Sequence, residues 1–475
     1  MRFLVAAAAA LCAATTAAAA VLPIQADSSF LIARPSRLAV NATNSTYLPP
    51  SSDSFYEPPA GYQRKENGAV LRTRNISTAV DSLGTAYQVL YKTKNAQGQA
   101  SSSVTTIFAP LQAVSPPQIL LYMTPADTAA VDCQTSYALL TGTQSNVSSS
   151  SVLIEIVAAL SKGWYVTVPD HEISRISAFI SGRTEAQAGL DGLRALLNYR
   201  AALPSAEGYK AVIRGYSGGG HAAAWATTYL TSYGKGLNVV GVAAGGVPVD
   251  LYYTLDLLSG TNNTYLGFSA LAGLANAEPE LRRWLASNLY QNGTDALAYA
   301  RSNQYCLDAT ANATYPWAGA DLYTFVMGGE TALRNGTLLK YFDENKLGTN
   351  NSENGNSGNL PIDIPIFMYH SKTDETVSYA PVRPYWLSQC AKGANVHLST
   401  LSGSTHVNTY LAYLGDSFDF IERAFNGTVA LDGCSSSDGL VNEVFSPGYV
   451  NAIGEAAAAQ LFSLATATSS AGARF

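Results

Sequence analysis

Apolar positions recur along this chain in short strand-like runs separated by longer helical ones. Ala86 to Lys92 alternates through Tyr87, Val89 and Tyr91, and Val104 to Phe108 is a second such run. After the Ser115-Pro116-Pro117 turn, Ile119 to Tyr122 is wholly apolar, as a buried strand requires. The spacing then predicts a helix over 150–161, a buried strand over 164–168 and an amphipathic helix over 184–199. Leu190, Leu193, Leu196 and Leu197 of that helix lie near one face. Ala211 to Arg214 is a short strand feeding a glycine-rich turn, Ala222 to Leu230 is the helix after it, and Val239 to Ala244 is another buried strand. Strands alternating with helices are the mark of a mostly parallel sheet covered on both faces.

The alternation lapses at Asp250. From there to about Leu360 come helical fragments and the polar Asn350 to Asn359 stretch. It resumes with a strand at Ile364 to Tyr369, a helix near Pro381 to Ala391, a strand at Val396 to Leu401 and a final helix from Val407 to Phe425. The pattern predicts a sheet domain in two parts, 21–249 and 361–434, with an irregular lead-in to about residue 60. Residues 250–360 are an insertion, either a second structural domain or a cap over the sheet edge that carries the active site. Residues 435–475, rich in Ser, Ala and Gly, are expected to trail loosely or to cover the pocket.

Residues 1–20 change the compartment. Arg2, the apolar run from Phe3 to Ala14 and the small residues Ala17 to Ala20 form a secretory signal peptide, with cleavage expected near Ala20. The run is too short for a convincing membrane span, and no later stretch supplies one, so a secreted, extracellular protein without a transmembrane anchor is expected. Export makes cysteine pairing the default for Cys133, Cys306, Cys390 and Cys434. Three pairings are open, and chain order suggests Cys133 with Cys306 and Cys390 with Cys434. The spacing is too wide for a compact metal knuckle. Acceptor sequons for N-glycosylation begin at Asn41, Asn44, Asn75, Asn146, Asn262, Asn292, Asn312, Asn335, Asn350 and Asn426. Charged residues are only 13% of the chain and the net charge is −6, with no Lys/Arg cluster. That argues against a nucleic-acid partner, whose backbone calls for basic footprints.

Residues 212–221 read V-I-R-G-Y-S-G-G-G-H, so Gly215, Ser217 and Gly219 form G-x-S-x-G between a strand and a helix. A serine at so tight a turn collides with side chains two residues either way, hence glycine at both places. The helix N-terminus offers free backbone N–H groups, which makes Gly218 N–H an oxyanion donor. The bland alternative, a glycine turn that binds phosphate, lacks the dinucleotide glycine order and the Walker lysine.

A serine hydroxyl needs a base. Of the chain's five histidines, His406 sits where this arrangement puts the base, in a loop after the last core strand. His221 lies four residues after Ser217 on one helix and reads as packing. His397 reads as a surface strand residue, His370 as a residue orienting the acid loop, and His171 as structural or pocket-lining. Asp374, just past the Ile364 to Tyr369 strand, can hold the imidazole tautomer and stabilise its cation. Glu375 is the adjacent competitor.

These residues together resemble the fungal secretory lipase family. The likeness runs from about Ser115 to Cys434. It is carried by the S-P-P lead-in with Asp127 and Asp132-Cys133, by Asp170-His171-Glu172, by G-Y-S-G-G at Gly215 to Gly219, and by Q-C-A-K-G-A-N from Gln389 to Asn395. The resemblance implies an α/β-hydrolase fold with a large, mainly helical inserted cap, and a triad falling on Ser217, Asp374 and His406. It also implies a second oxyanion donor at the backbone N–H of Asp127, which the residues alone do not reveal. The family's disulfide pattern agrees with the chain-order pairing. Its C-terminal flap has no clear counterpart here, since residues 435–475 carry little resemblance.

The expected activity is that of a secreted serine ester hydrolase working without metal or organic cofactor, as a monomer. Long-chain acylglycerols, met at a lipid–water interface, are the leading substrate. A carboxylesterase of small soluble esters or an acyltransferase would use the same triad. A non-catalytic secreted binding protein is the reading from a different class.

Overall fold

The computed structural model describes residues 47–140, 149–173, 175–302, 316–349 and 358–462. The signal-peptide segment, Cys306 and the sequons at Asn41, Asn44, Asn146, Asn312 and Asn350 lie outside the described residues. The strands are β1 (Val70–Ile76), β2 (Gly84–Lys94), β3 (Ala100–Pro110), β4 (Gln118–Met123), β5 (Tyr165–Pro169), β6 (Glu172–Ile173), β7 (Ile176–Ser177), β8 (Lys210–Tyr216), β9 (Val239–Gly245), β10 (Pro365–Ser371), β11 (Asn395–Leu401) and β12 (Ser435–Asp438). Ten of them form one sheet in the order β1-β2-β3-β5-β4-β8-β9-β10-β11-β12, and β6 pairs with β7 apart from it. From β5 to β12 all neighbours are parallel, while β1, β2 and β3 join antiparallel at one edge.

The strand period of two sorts the core into two layers. Leu120, Tyr122, Val212 and Phe367 face a core shared with the helices Ser149–Ser161, Leu414–Asn426 and Pro447–Ile453. Their neighbours Ile119, Leu121, Ile213 and Met368 face the opposite core, under the helices Gly182–Asn198, Gly218–Thr228 and Val382–Cys390. A third apolar cluster lies among the helices Leu251–Leu258, Thr264–Ala277, Pro279–Asn288, Gln291–Ala300 and Gly336–Glu344. Phe179 and Ile180, in the loop before Gly182–Asn198, belong to it. The inserted helices therefore have a core of their own and meet the sheet domain at that loop. Among the described residues no helix is long and apolar enough to cross a membrane.

β8 is anchored by a buried ion pair. Arg214 Nε lies 3.0 Å from Glu155 Oε2, and neither side chain is exposed. Arg214 also donates to the Tyr369 hydroxyl on β10, and the Tyr122 hydroxyl on β4 donates to Glu155 Oε1 at 3.1 Å. Isolated charges in such a place are costly, but these are paired and hydrogen-bonded.

Two expectations change. The final helix is broken at Tyr413 into His406–Ala412 and Leu414–Asn426. Tyr413 is fully buried there, with its hydroxyl 2.9 Å from Ser399 Oγ, so tertiary packing overrides the continuous helical period. Among the described residues, the chain after Cys434 (435–462) does not trail, nor does it line the space beside Ser217. Ser435–Asp438 pairs with β11, and the Cys390–Cys434 disulfide ties down its start. Asp416 accepts hydrogen bonds from Val441 N at 2.9 Å and Asn442 N at 2.7 Å. Tyr449 and Ile453 are fully buried, and the Tyr449 hydroxyl donates to Leu411 O at 2.8 Å. A side chain at Gly415 would strike the Tyr449 ring. Cys133 is also disulfide-bonded.

If this tail belongs to the core, Tyr449→Ala lowers unfolding free energy by about 3–5 kcal/mol, the range for removing a large buried ring. Val441→Ala, at an exposed position, changes it by less than about 0.5 kcal/mol. Urea unfolding checks both, and equal stability of the two variants would mean that the tail is not part of the core.

Candidate active site

Ser217 stands between the end of β8 and the first turn of Gly218–Thr228, at φ 59° and ψ −126°. That backbone is costly for a residue with a side chain, by about 1–3 kcal/mol, and survives only where the surroundings hold it. The glycines explain how the turn fits. A Cβ at Gly215 would overlap Gly219 O, and one at Gly219 would overlap Met123 O. Ser217 N–H donates to Gly245 O at 3.0 Å, which fixes the turn against β9. The helix begins at Gly218, four residues before the predicted start, so its first N–H groups surround the serine.

β10 ends at Ser371, and the loop beyond it presents Asp374. Asp374 Oδ1 accepts from Thr376 N at 2.9 Å and Val377 N at 2.8 Å. Its Oδ2 lies 2.7 Å from His406 Nδ1, and His406 Nε2 lies 2.8 Å from Ser217 Oγ. All three residues are buried. His406 is the first residue of its helix, which Thr405 caps by accepting from Asn408 N. Two further contacts hold the His406 backbone. Its N–H donates to Glu375 Oε2 at 2.9 Å, and its carbonyl accepts from the Tyr216 hydroxyl at 2.6 Å. The Tyr216 ring lies against the imidazole, with centroids 4.9 Å apart.

Burial works against a charge on His406, but Asp374 beside it more than offsets this and raises its pKa above the ordinary imidazole value. Burial likewise opposes charge on Asp374, yet His406 holds its pKa below the usual carboxylate value. Nδ1–H of His406 therefore donates to an ionised Asp374, leaving Nε2 free to accept the serine proton.

Asp127 follows β4 with φ 48° and is buried. Burial pushes its carboxyl up to about 6, against the opposing pull of His406 and His171. Its side chain leaves no room for a Cβ at Gly218. Its carbonyl accepts from Ser269 Oγ at 2.8 Å, so an inserted helix touches this loop directly. Asp127, Ser217 and Gly218 border one apolar space, walled by Phe179, Leu255, Leu258, Leu266, Leu271 and Leu274.

The other histidines do not reach the serine. His370 Nε2 is 3.0 Å from Val377 O and 3.6 Å from Asp374 Oδ2, so it sits behind the acid loop. His397 is half-buried and bonded to Ser435 and Ser437 across β11 and β12. His171 and His221 both bond to Glu185. Sequence reasoning missed Glu185. Its signal was available, since Glu185 falls on the same helical face as Leu193 and Leu196, a carboxylate on an apolar stripe. It also missed the role of Tyr216, which pattern alone marks only as the variable position of the motif. The sequon asparagines Asn75, Asn262, Asn292, Asn335 and Asn426 are all exposed.

Comparison with known proteins agrees with this architecture. The secretory lipase family profile matches residues 141–433. Lipase A of Moesziomyces aphidis is 33% identical over 420 residues, covering 87% of this chain and 88% of that protein. Secreted triacylglycerol lipase LIP4 of Malassezia globosa is 29% identical over 86% of this chain and 87% of its own length. The closed-state structure of Candida antarctica lipase A superposes with a TM-score of 0.79 at 30% identity, covering 88% of this chain and 96% of that one. The chain belongs to the secretory lipase family, with the α/β-hydrolase fold of its structural neighbours.

Proposed function

We propose that this secreted lipase hydrolyses long-chain acylglycerols through an acyl-enzyme on Ser217. The observation that carries the reading is the buried chain of hydrogen bonds Asp374–His406–Ser217, opening on an apolar space. Ser217 Oγ attacks the ester carbonyl as His406 Nε2 takes its proton. Asp374 keeps the imidazole in the required tautomer and stabilises its cation. The tetrahedral oxyanion lies against the backbone N–H groups of Gly218 and Asp127. His406 then protonates the leaving alcohol. A water, deprotonated by His406, attacks the acyl carbonyl and releases the fatty acid and Ser217.

Residues 250–360 act as the cap in this reading. Leu255, Leu258, Leu266, Leu271 and Leu274 line the space with apolar atoms, which suits an acyl chain worth about 0.8 kcal/mol per buried methylene. The triacylglycerol substrate is named for the Malassezia relative. The protein works as a monomer at the lipid–water interface, and the exposed sequon asparagines are open to glycans.

Initial rates against ester chain length, on both sides of the solubility limit, test the substrate class. A Ser217-dependent rate that favours long chains and rises further on emulsified triacylglycerol is expected. Activity confined to dissolved short esters would make the protein a carboxylesterase instead. Leu271→Trp, which fills the apolar space, is expected to move the optimum to shorter acyl chains, and an unchanged optimum would place the acyl site elsewhere. For a dissolved ester the base must be neutral, and a raised pKa keeps His406 charged to higher pH. The acid limb of log kcat/KM therefore falls about tenfold per pH unit, with its midpoint above about 6.5. A midpoint at or below that value would contradict the Asp374–His406 pairing in the free enzyme.

A further inference from the structure

Glu185 is a carboxylate that the mechanism does not use, and it has no exposed surface. It sits in the first turn of Gly182–Asn198. Oε1 lies 3.0 Å from His171 Nδ1 and accepts from Ile180 N at 2.7 Å. Oε2 lies 2.7 Å from His221 Nδ1. Burial opposes the charge, but His221 and His171 beside it keep Glu185 ionised and bring its pKa down to about 2. Among the described residues the Nε2 atoms of both rings have no hydrogen-bond partner, so Glu185 is the polar anchor of each.

The three donors come from separate places. His171 follows β5. Ile180 borders the apolar space beside Ser217 and stands at φ 64°, a backbone rare for a β-branched residue. His221 is on the helix that Ser217 opens, and it is the first side chain after three glycines. Those glycines have no polar group beyond their backbone with which to fix the first turn. Between Ile180 and His221 lies the contact that matters. The Phe179 ring presses on Gly218 so closely that a Cβ there would overlap it. Glu185 thus holds both sides of the Gly218 contact, the helix through His221 and the Phe179 wall through Ile180.

We infer that Glu185 is a positioning residue for the oxyanion donor Gly218 N–H, acting through His221 and the Phe179–Ile180 loop. This rests on the reading of Ser217 and Gly218 given above. A displaced oxyanion donor weakens transition-state binding and leaves ground-state binding almost untouched. Small displacements of catalytic groups are costly, with about 10²-fold reached for 1 Å.

The test uses the full-length secreted protein on a dissolved short-chain ester, with active sites titrated by an alkyl phosphonate. Glu185→Gln keeps the shape but cannot accept from both rings and from Ile180 at once. Its kcat per active site is expected to fall about tenfold or more while KM stays within about twofold. Affinity for an alkyl boronic acid, which mimics the tetrahedral state at Ser217, should fall by the same factor. His221→Asn, whose amide keeps a donor near the Nδ1 position, should retain more kcat than His221→Ala. A folded Glu185→Gln with wild-type kcat and boronate affinity overturns the inference. Should Glu185→Gln fail to fold, equal kcat in the two His221 variants overturns it. Wild-type turnover that survives Ser217→Ala would instead overturn the underlying site reading.

Discussion

The turn at Ser217 is the constraint on which the rest of the site depends. Its backbone angles are costly, so the surrounding structure must supply the restraint. Gly215 and Gly219 give the turn room, Gly245 O holds Ser217 N–H, and Met123 O fills the space that a Cβ at Gly219 would need. These groups come from β4, β8, β9 and the following helix, the middle of the parallel sheet. The sheet order thus determines where the hydroxyl points. The loops after β10 and β11 then bring Asp374 and His406 to it from the adjoining strands.

Buried charges reinforce the same place. Arg214, three residues before Ser217, is paired with Glu155 and bonded to the Tyr369 hydroxyl. On the other side Glu185 gathers His171, His221 and the Ile180 N–H. Neither group contributes much net stability if the desolvation of its charges is counted. Both specify geometry, because a half-satisfied network in a low dielectric is worse than none. The inserted helices meet this rigid centre at Asp127 through Ser269 and at the Phe179–Ile180 loop.

Much of this was legible in the residues. The parallel strands are covered on both faces and read as apolar runs, and G-x-S-x-G between a strand and a helix marks its own turn. His406 and Asp374 followed from their places after the last two core strands. Other parts left no such trace. β12 is Ser-Ser-Ser-Asp and wholly exposed, held by pairing and a disulfide rather than by burial, so no hydrophobic period announces it. Tyr449 lies in a tail whose overall richness in Ser, Ala and Gly suggests looseness despite the nearby Val444, Phe445, Val450 and Ile453, and its burial depends on the space at Gly415. Asp127 looks like any turn aspartate in a loop, and only the family resemblance pointed to it. Glu185 stood on an apolar stripe, but its partners lie 5, 14 and 36 residues away and meet only in the fold.

His406 and Asp374 make Ser217 a nucleophile facing an apolar space. Mass spectrometry after exposure to a long-chain alkyl phosphonate tests this most directly, since such reagents bond to an activated serine. One adduct per chain is expected on the peptide containing Ser217, forming faster with longer alkyl groups and absent from Ser217→Ala. An adduct on another residue, or none under conditions where the protein hydrolyses esters, would contradict it.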